Sequence, residues 1–142
     1  MKSNTKSDIR NALLELCDAF NAHDLDRIMS WFADDCVLEM PKGKMPYGTR
    51  FAGKDSVRAG LASRFEGIPD VHYGNAEHFV DVEFATGISK WSLTGTGQDG
   101  KPLEVRGCDF YSFKNGKVVK KDAYWKIIED DGATNYRPEK AT

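Results

Sequence analysis

Val105-Arg106-Gly107-Cys108-Asp109-Phe110-Tyr111-Ser112-Phe113-Lys114-Asn115-Gly116-Lys117-Val118-Val119 carries the architecture. Both halves alternate and are rich in β-branched and aromatic residues, and Asn115-Gly116 divides them. An Asn-Gly pair suits a type I′ turn, in which both central residues take positive φ. The runs Pro102–Phe113 and Lys117–Ile128 are therefore predicted as neighbouring antiparallel strands. Upstream, Val71–Val80 and Phe84–Thr96 have the same character, and Asp99-Gly100 predicts a second tight hairpin. Four strands in succession make an antiparallel meander.

Toward the N-terminus the period changes. Ile9, Leu13, Leu16, Cys17 and Phe20 recur at three- and four-residue steps, one apolar helical stripe. Ser7 is the predicted cap, with Asp8 in the first turn. Asp24 caps a second helix in which Leu25, Ile28, Met29 and Phe32 share a face and which Asp34-Asp35 ends. Cys36–Met40 reads as a short strand stopped by Pro41. Residues 41–53, with Pro41, Gly43, Pro46, Gly48 and Gly53, read as a loop. Asp55 or Ser56 opens a third helix with Val57, Leu61 and Phe65 inward, stopped at Gly67-Ile68-Pro69-Asp70. Helices first and a meander after is an α+β order: one curved sheet with helices on one face, enclosing a concave cavity. We expect one domain over 1–142, with its core at about 8–128 and a polar, fraying tail from 129.

The chain has 142 residues, 40% hydrophobic and 30% charged, enough for a packed core and against wholesale disorder. Twenty basic and twenty-two acidic residues leave a net charge of −2, without the basic footprint of a nucleic-acid binder. No apolar run approaches the ~20 residues that span a bilayer. No apolar block follows Lys2 and Lys6, so no secretory signal is read. Cys17, Cys36 and Cys108 are odd in number and far apart, which suits reduced thiols in a cytoplasmic protein. No spacing suggests a metal site, and no cofactor is expected. Gly95-Thr96-Gly97-Gln98-Asp99-Gly100 matches a dinucleotide-binding pattern in letters only, because it lies between two strands and opens no helix.

Asp109 is the leading candidate for chemistry. Alternation puts Val105, Gly107, Asp109, Tyr111 and Phe113 on one strand face, with Glu104, Arg106, Cys108, Phe110 and Ser112 on the other. A carboxyl among apolar neighbours resists ionisation, so it can donate a hydrogen bond to a carbonyl or shuttle a proton. The competing reading pairs it with an arginine or turns it to solvent. His78 follows: inward with Ala76 and Val80 it can act as base or ligand donor, and equally as a structural histidine. His23 reads as an exposed helix-end residue. Phe20, Phe32, Phe65, Trp91, Tyr111 and Trp125, with Met40, are the candidate pocket lining; the aromatic set, which also includes Trp31 and Tyr124, reads otherwise as core, with Trp91 and Trp125 foremost at the open end. Lys42, Lys44, Arg50, Lys54 and Arg58 surround the 41–53 loop, either as a solvated basic loop or as an attraction for an anionic substrate.

Several segments resemble the nuclear-transport-factor-2-like superfamily and its SnoaL-like polyketide cyclases, ketosteroid isomerases and limonene epoxide hydrolase. They are Phe20-Asn21-Ala22-His23-Asp24-Leu25-Asp26, Trp31-Phe32-Ala33-Asp34-Asp35, Gly53-Lys54-Asp55, Ile68-Pro69-Asp70, Trp91-Ser92-Leu93-Thr94-Gly95, and the opening stretch continued to Ala123-Tyr124-Trp125. The resemblance covers about residues 8–128. It implies a cone-shaped, strongly curved, mostly antiparallel sheet wrapped around N-terminal helices, a cystatin-like fold. In ketosteroid isomerases it aligns the proton-moving carboxylate with Met40, the oxyanion tyrosine with Leu16 and the protonated aspartic acid with Asp109. In the cyclase it aligns a histidine with Asp109 and the catalytic aspartate with Ala123, next to Asp122. The Arg-x-Asp of the epoxide hydrolase falls on Lys90-Trp91-Ser92. The expectation is a protein that binds a small apolar carbonyl compound and performs cofactor-free acid–base chemistry (isomerase, aldol cyclase or dehydratase), with Asp109 and His78 as proton-handling groups. The alternative is a non-catalytic binding or assembly module. The resemblance also implies a homodimer through the convex face.

Overall fold

The computed structural model describes residues 4–129. Helix α1 (Lys6–Asn21) buries Ile9, Ala12, Leu13, Leu16, Ala19 and Phe20, the stripe that the spacing predicts. Its cap is Thr5 rather than Ser7: Asp8 N donates to Thr5 Oγ1 at 3.1 Å, so the helix begins earlier. Asp24 caps helix α2 (Leu25–Met29), accepting from Arg27 N. This helix stops short of Phe32, which opens strand β1 (Phe32–Glu39). The reason is tertiary: Val118 N donates to Trp31 O at 2.8 Å, and Phe32 pairs with Val118. The 41–53 stretch, read as loop, holds a three-residue strand, β2 (Arg50–Ala52), antiparallel to β1. Helix α3 (Lys54–Gly67) buries Val57, Gly60 and Leu61.

Strands β3 (His72–Asp81), β4 (Thr86–Thr96), β5 (Pro102–Lys114) and β6 (Lys117–Trp125) form the meander. The sheet order is β2-β1-β6-β5-β4-β3, a curved sheet whose two edges do not meet. The β1–β6 pair is parallel, within an otherwise antiparallel sheet. Asn115 and Gly116 have φ of 52° and 78°, the turn the sequence predicts. The Asp99-Gly100 turn differs. Only Gly100 is left-handed there, Asp99 accepts from Lys101 N at 2.9 Å, and Gly97 N donates to Lys101 O at 2.9 Å. The side chain of Asp99, not a positive φ, closes this longer loop.

Two irregularities direct side chains. The β3–β4 register shifts between Gly74 and Glu77, where Asn75 has φ 52°. On β6 the register steps from Phe113↔Val118 to Ser112↔Lys120, leaving Val119 as an extra residue. The main core lies between the helices and the sheet, with Leu13, Leu16, Ile28, Phe32, Leu38, Val57 and Val118 fully enclosed. A smaller core of Ile68, Val71, Trp91, Leu93 and Val105 fills the far end. Glu39 is buried, and although burial pushes its carboxyl up, Arg50 and Lys120 hold it below its ordinary value. The polar tail expected from residue 129 falls, beyond Glu129, outside the described residues.

Candidate functional site

The cross-strand register aligns His78, Ser89, Asp109 and Ala123 in one row on the concave face. Asp109 is buried at 6% exposure, as its parity on β5 predicts. It does not stand alone among apolar groups. Lys121 Nζ lies 3.1 Å from Oδ1, and Trp91 Nε1 donates to Oδ2 at 2.9 Å. Both of its oxygens are thus engaged as acceptors. Both members of the ion pair are only 8% exposed. The partner is a lysine, and the Val119 bulge is what turns it inward, onto the face that carries Ala123 and opposite Tyr111. The ammonium also lies 5.3 Å from the Phe20 ring centroid and 5.9 Å from that of Tyr111.

The hollow cone expected from the sequence is filled. The cavity at Asp109 measures about 20 Å³, room for roughly one water. Its walls are Cys17, Phe20, Tyr73, Ser89, Trp91, Asp109, Tyr111 and Lys121. Large side chains close it, because Trp91 packs edge-on against Tyr73 at 5.0 Å and against Trp125 at 6.4 Å. Trp91 reaches Asp109 by lying across Gly107, where any Cβ would collide with Tyr124 O and the indole. Burial, and then Asp109, push the phenols of Tyr73 and Tyr111 far up, and raise the Cys17 thiol. None of the three is activated as a nucleophile or base.

His78 is not in this cavity. It lines a groove of about 600 Å³ between α1 and β3, beside Arg10, Cys17 and Asn21. Its Nδ1 lies 2.8 Å from Ser89 Oγ, so it touches the inner cavity only through that hydroxyl. Burial, and then Arg10, lower its pKa. His23 is structural rather than exposed: Nε2 is 2.7 Å from Val71 O and the ring lies 4.6 Å from Phe65. Asp122 faces away from the cavity and accepts from Tyr124 OH at 3.1 Å.

A larger space opens at the mouth of the cone, a cleft of about 740 Å³. Met40, Pro41, Met45, Pro46, Phe51, Leu103, Val105, Trp125, Ile127 and Ile128 give it apolar walls, and Ser63, Thr49, Arg64, Lys42 and Lys126 supply polar groups. The Arg64 guanidinium lies over the Trp125 ring, 4.5 Å from its centroid. The candidate lining residues thus divide. Phe20, Trp91 and Tyr111 surround the inner cavity with Asp109. Met40 and Trp125 face the mouth cleft. Phe32 lies in the main core, and Phe65 packs against Phe20 at 6.3 Å. Lys121, Ser89, Tyr73 and Arg64 were not foreseen from sequence. Counting by twos backward from Trp125 and Ala123 reaches Lys121, whereas counting forward from Val118 does not. Among the described residues no group of His, Cys, Asp and Glu is arranged to hold a metal ion, and no helix is long and apolar enough to cross a membrane.

Residues 13–121 match the model of the SnoaL-like domain. The chain belongs to the SnoaL-like family. Solved structures agree on the fold. A candidate polyketide cyclase from Xanthomonas campestris pv. campestris superposes with a TM-score of 0.76 at 15% identity, covering 87% of this chain and 93% of its own. A SnoaL-like protein of unknown function from Burkholderia thailandensis E264 gives 0.68 at 25% identity, with 87% and 98% covered. The epoxide hydrolase/cyclase-like enzyme SalBIII, with a role in pyran ring formation in the polyether salinomycin, gives 0.74 at 15% identity, with 87% and 95% covered. No curated protein matches the chain. The SnoaL-like scaffold is thus shared, and what this member does is read from its own inner side chains, Lys121 against Asp109 and Met40 at the cleft.

Proposed function

We propose that this SnoaL-like protein binds a small, mainly apolar molecule in the cleft at the mouth of the cone. One observation carries the reading: the mouth offers about 740 Å³ between apolar walls, and the inner cavity about 20 Å³. A ligand of ten or more heavy atoms fits only the first. Trp125 and Met40 then provide apolar contact surface and Arg64 the donor for a carbonyl or similar acceptor, while the Ser63 and Thr49 hydroxyls already donate to Gly60 O and Lys42 O. Binding without turnover is the form this geometry supports best, since among the described residues no proton-handling pair lines the cleft.

A second reading keeps acid–base chemistry on an apolar carbonyl compound. It is supported by the Asp109–Lys121 pair, one indole inward from the cleft. If Trp91 swings aside, the ammonium can polarise a carbonyl while the carboxylate accepts a neighbouring proton. In this reading Lys121 rather than His78 partners Asp109, because His78 faces a different space. No cofactor enters either reading. The convex face exposes Phe79, Phe110 and Tyr124, with Phe110 and Tyr124 ring centroids 5.6 Å apart, and we propose it as a homodimer contact, to be checked by sedimentation.

Titration with a panel of enones and polyketide-like ketones, followed by tryptophan fluorescence and recovery of the compound, separates the readings. Binding alone predicts ligand recovered unchanged and affinity lost in Trp125→Ala. Turnover that disappears in both Asp109→Asn and Lys121→Met favours the second reading. Ligand binding unaffected by Trp125→Ala would rule out the mouth cleft.

A further inference from the structure

We infer that the ligand of the mouth cleft carries a negative charge, an apolar body ending in a carboxylate or comparable anion, and that Arg64 is its anchor. The inference rests on the cleft being the ligand site. Its basis is charge. Among the described residues the polar groups at the cleft include three cations, Lys42, Arg64 and Lys126, and no acid. Among the described residues the ion pairs engage Arg27, Arg50, Arg58, Lys90, Lys120 and Lys121, and none engages Arg64. The chain as a whole is slightly acidic, so a cleft whose described lining holds three cations and no acid departs from its average.

Geometry singles out Arg64 among the three. Lys42 and Lys126 are exposed, while Arg64 is half-buried near the end of α3 and lies over Trp125. Contact with the indole and a hydrogen bond donated to the Tyr73 phenol hold the guanidinium in place, and its five N–H groups leave further donors for a ligand. A guanidinium so fixed binds a carboxylate by two parallel hydrogen bonds at little entropic cost. Desolvation by Met40, Phe51, Leu103 and Trp125 strengthens that contact. The same walls hold the ligand's apolar body, so charge and hydrophobic contact select one amphipathic shape.

The test uses two probes with the same rings, anilinonaphthalene sulfonate and its neutral parent phenylnaphthylamine, titrated against the full chain by fluorescence. The anion is expected to bind about tenfold more tightly than the neutral probe, the effect of one charge-assisted hydrogen-bonded contact. That preference shrinks with added salt. Arg64→Gln removes it and leaves the neutral probe within about twofold, and Arg64→Lys retains part of it, since the charge remains and the planar fork is lost. Equal affinity for both probes in the unmodified chain overturns the anion inference and leaves the cleft reading intact. Failure of either probe to respond to Trp125→Ala counts against the cleft itself. Anion binding that appears only after neutralising Asp130, Asp131 and Glu139 would assign the cations to the chain's own acidic segment. Probe binding lost in step with self-association would assign the cleft to a second copy. Either result overturns the proposal of a free anionic ligand.

Discussion

Replacing Lys121 with Met removes the ammonium and keeps most of the volume. It leaves Asp109 with one donor, the Trp91 indole at 2.9 Å, in a space that admits about one water. Losing one partner of a buried pair costs roughly 3–5 kcal/mol. The indole keeps the effect near the lower end, so about 3 kcal/mol is expected, a large share of the ~5–15 kcal/mol of an ordinary domain. With a urea slope near 2 kcal/mol/M this is a midpoint shift of roughly 1.5 M. Asp109→Asn costs less, because the ammonium keeps the faces of Phe20 and Tyr111 at 5.3 and 5.9 Å, worth perturbations of about 1 kcal/mol. The double variant Asp109→Asn with Lys121→Met buries no charge and is expected to recover about 2 kcal/mol relative to the sum of the singles. Urea unfolding of the four proteins closes the cycle. Additivity within about 0.5 kcal/mol, with neither single variant losing more than about 1 kcal/mol, would mean that water screens the pair and that the cone is open at Asp109.

The lowered pKa of His78 carries a pH signature. The folded state disfavours its charged form, so the unfolded chain takes up the proton first and stability falls as pH drops from about 6.5 toward the lower folded value. Equilibrium unfolding between pH 8 and 5 checks this; His78→Gln flattens the slope, and an unchanged slope argues that His78 is solvated. Gly107→Ala sets a methyl group against Tyr124 O and the Trp91 indole and is expected to destabilise by ~1–3 kcal/mol, with a changed near-ultraviolet tryptophan spectrum by circular dichroism. Gly116→Ala puts a side chain at φ 78° and costs about 1 kcal/mol by the same unfolding assay, without altering ligand affinity.

The fold was legible where sequence periods are long and local. The α1 stripe, the β5 alternation and the Asn115-Gly116 turn each follow from spacing and φ preference, and the structure repeats them. What escaped depends on contacts distant in sequence. Phe32 fits a helical face, yet pairing with Val118 draws it into β1. Arg50–Ala52 becomes a strand only because β1 lies beside it. The site suffered more. A single extra residue, Val119, reverses the parity of β6 between Val118 and Lys121, and alternation alone does not report such a bulge. The emptiness of the cone was an expectation about volume, and no period in a sequence reports how far Trp91 and Tyr73 reach across a concave sheet.

The central claim is that ligand occupies the mouth and leaves the interior closed. Heteronuclear NMR on the full chain titrated with anilinonaphthalene sulfonate addresses it directly, because the indole N–H signals of Trp91 and Trp125 report on the two spaces separately. The account predicts large shifts for the Trp125 indole and the amides of Phe51 and Leu103, with the Trp91 indole staying on Asp109 and nearly unmoved. The largest shifts at the Trp91 indole and Lys121, with the cleft silent, would contradict it.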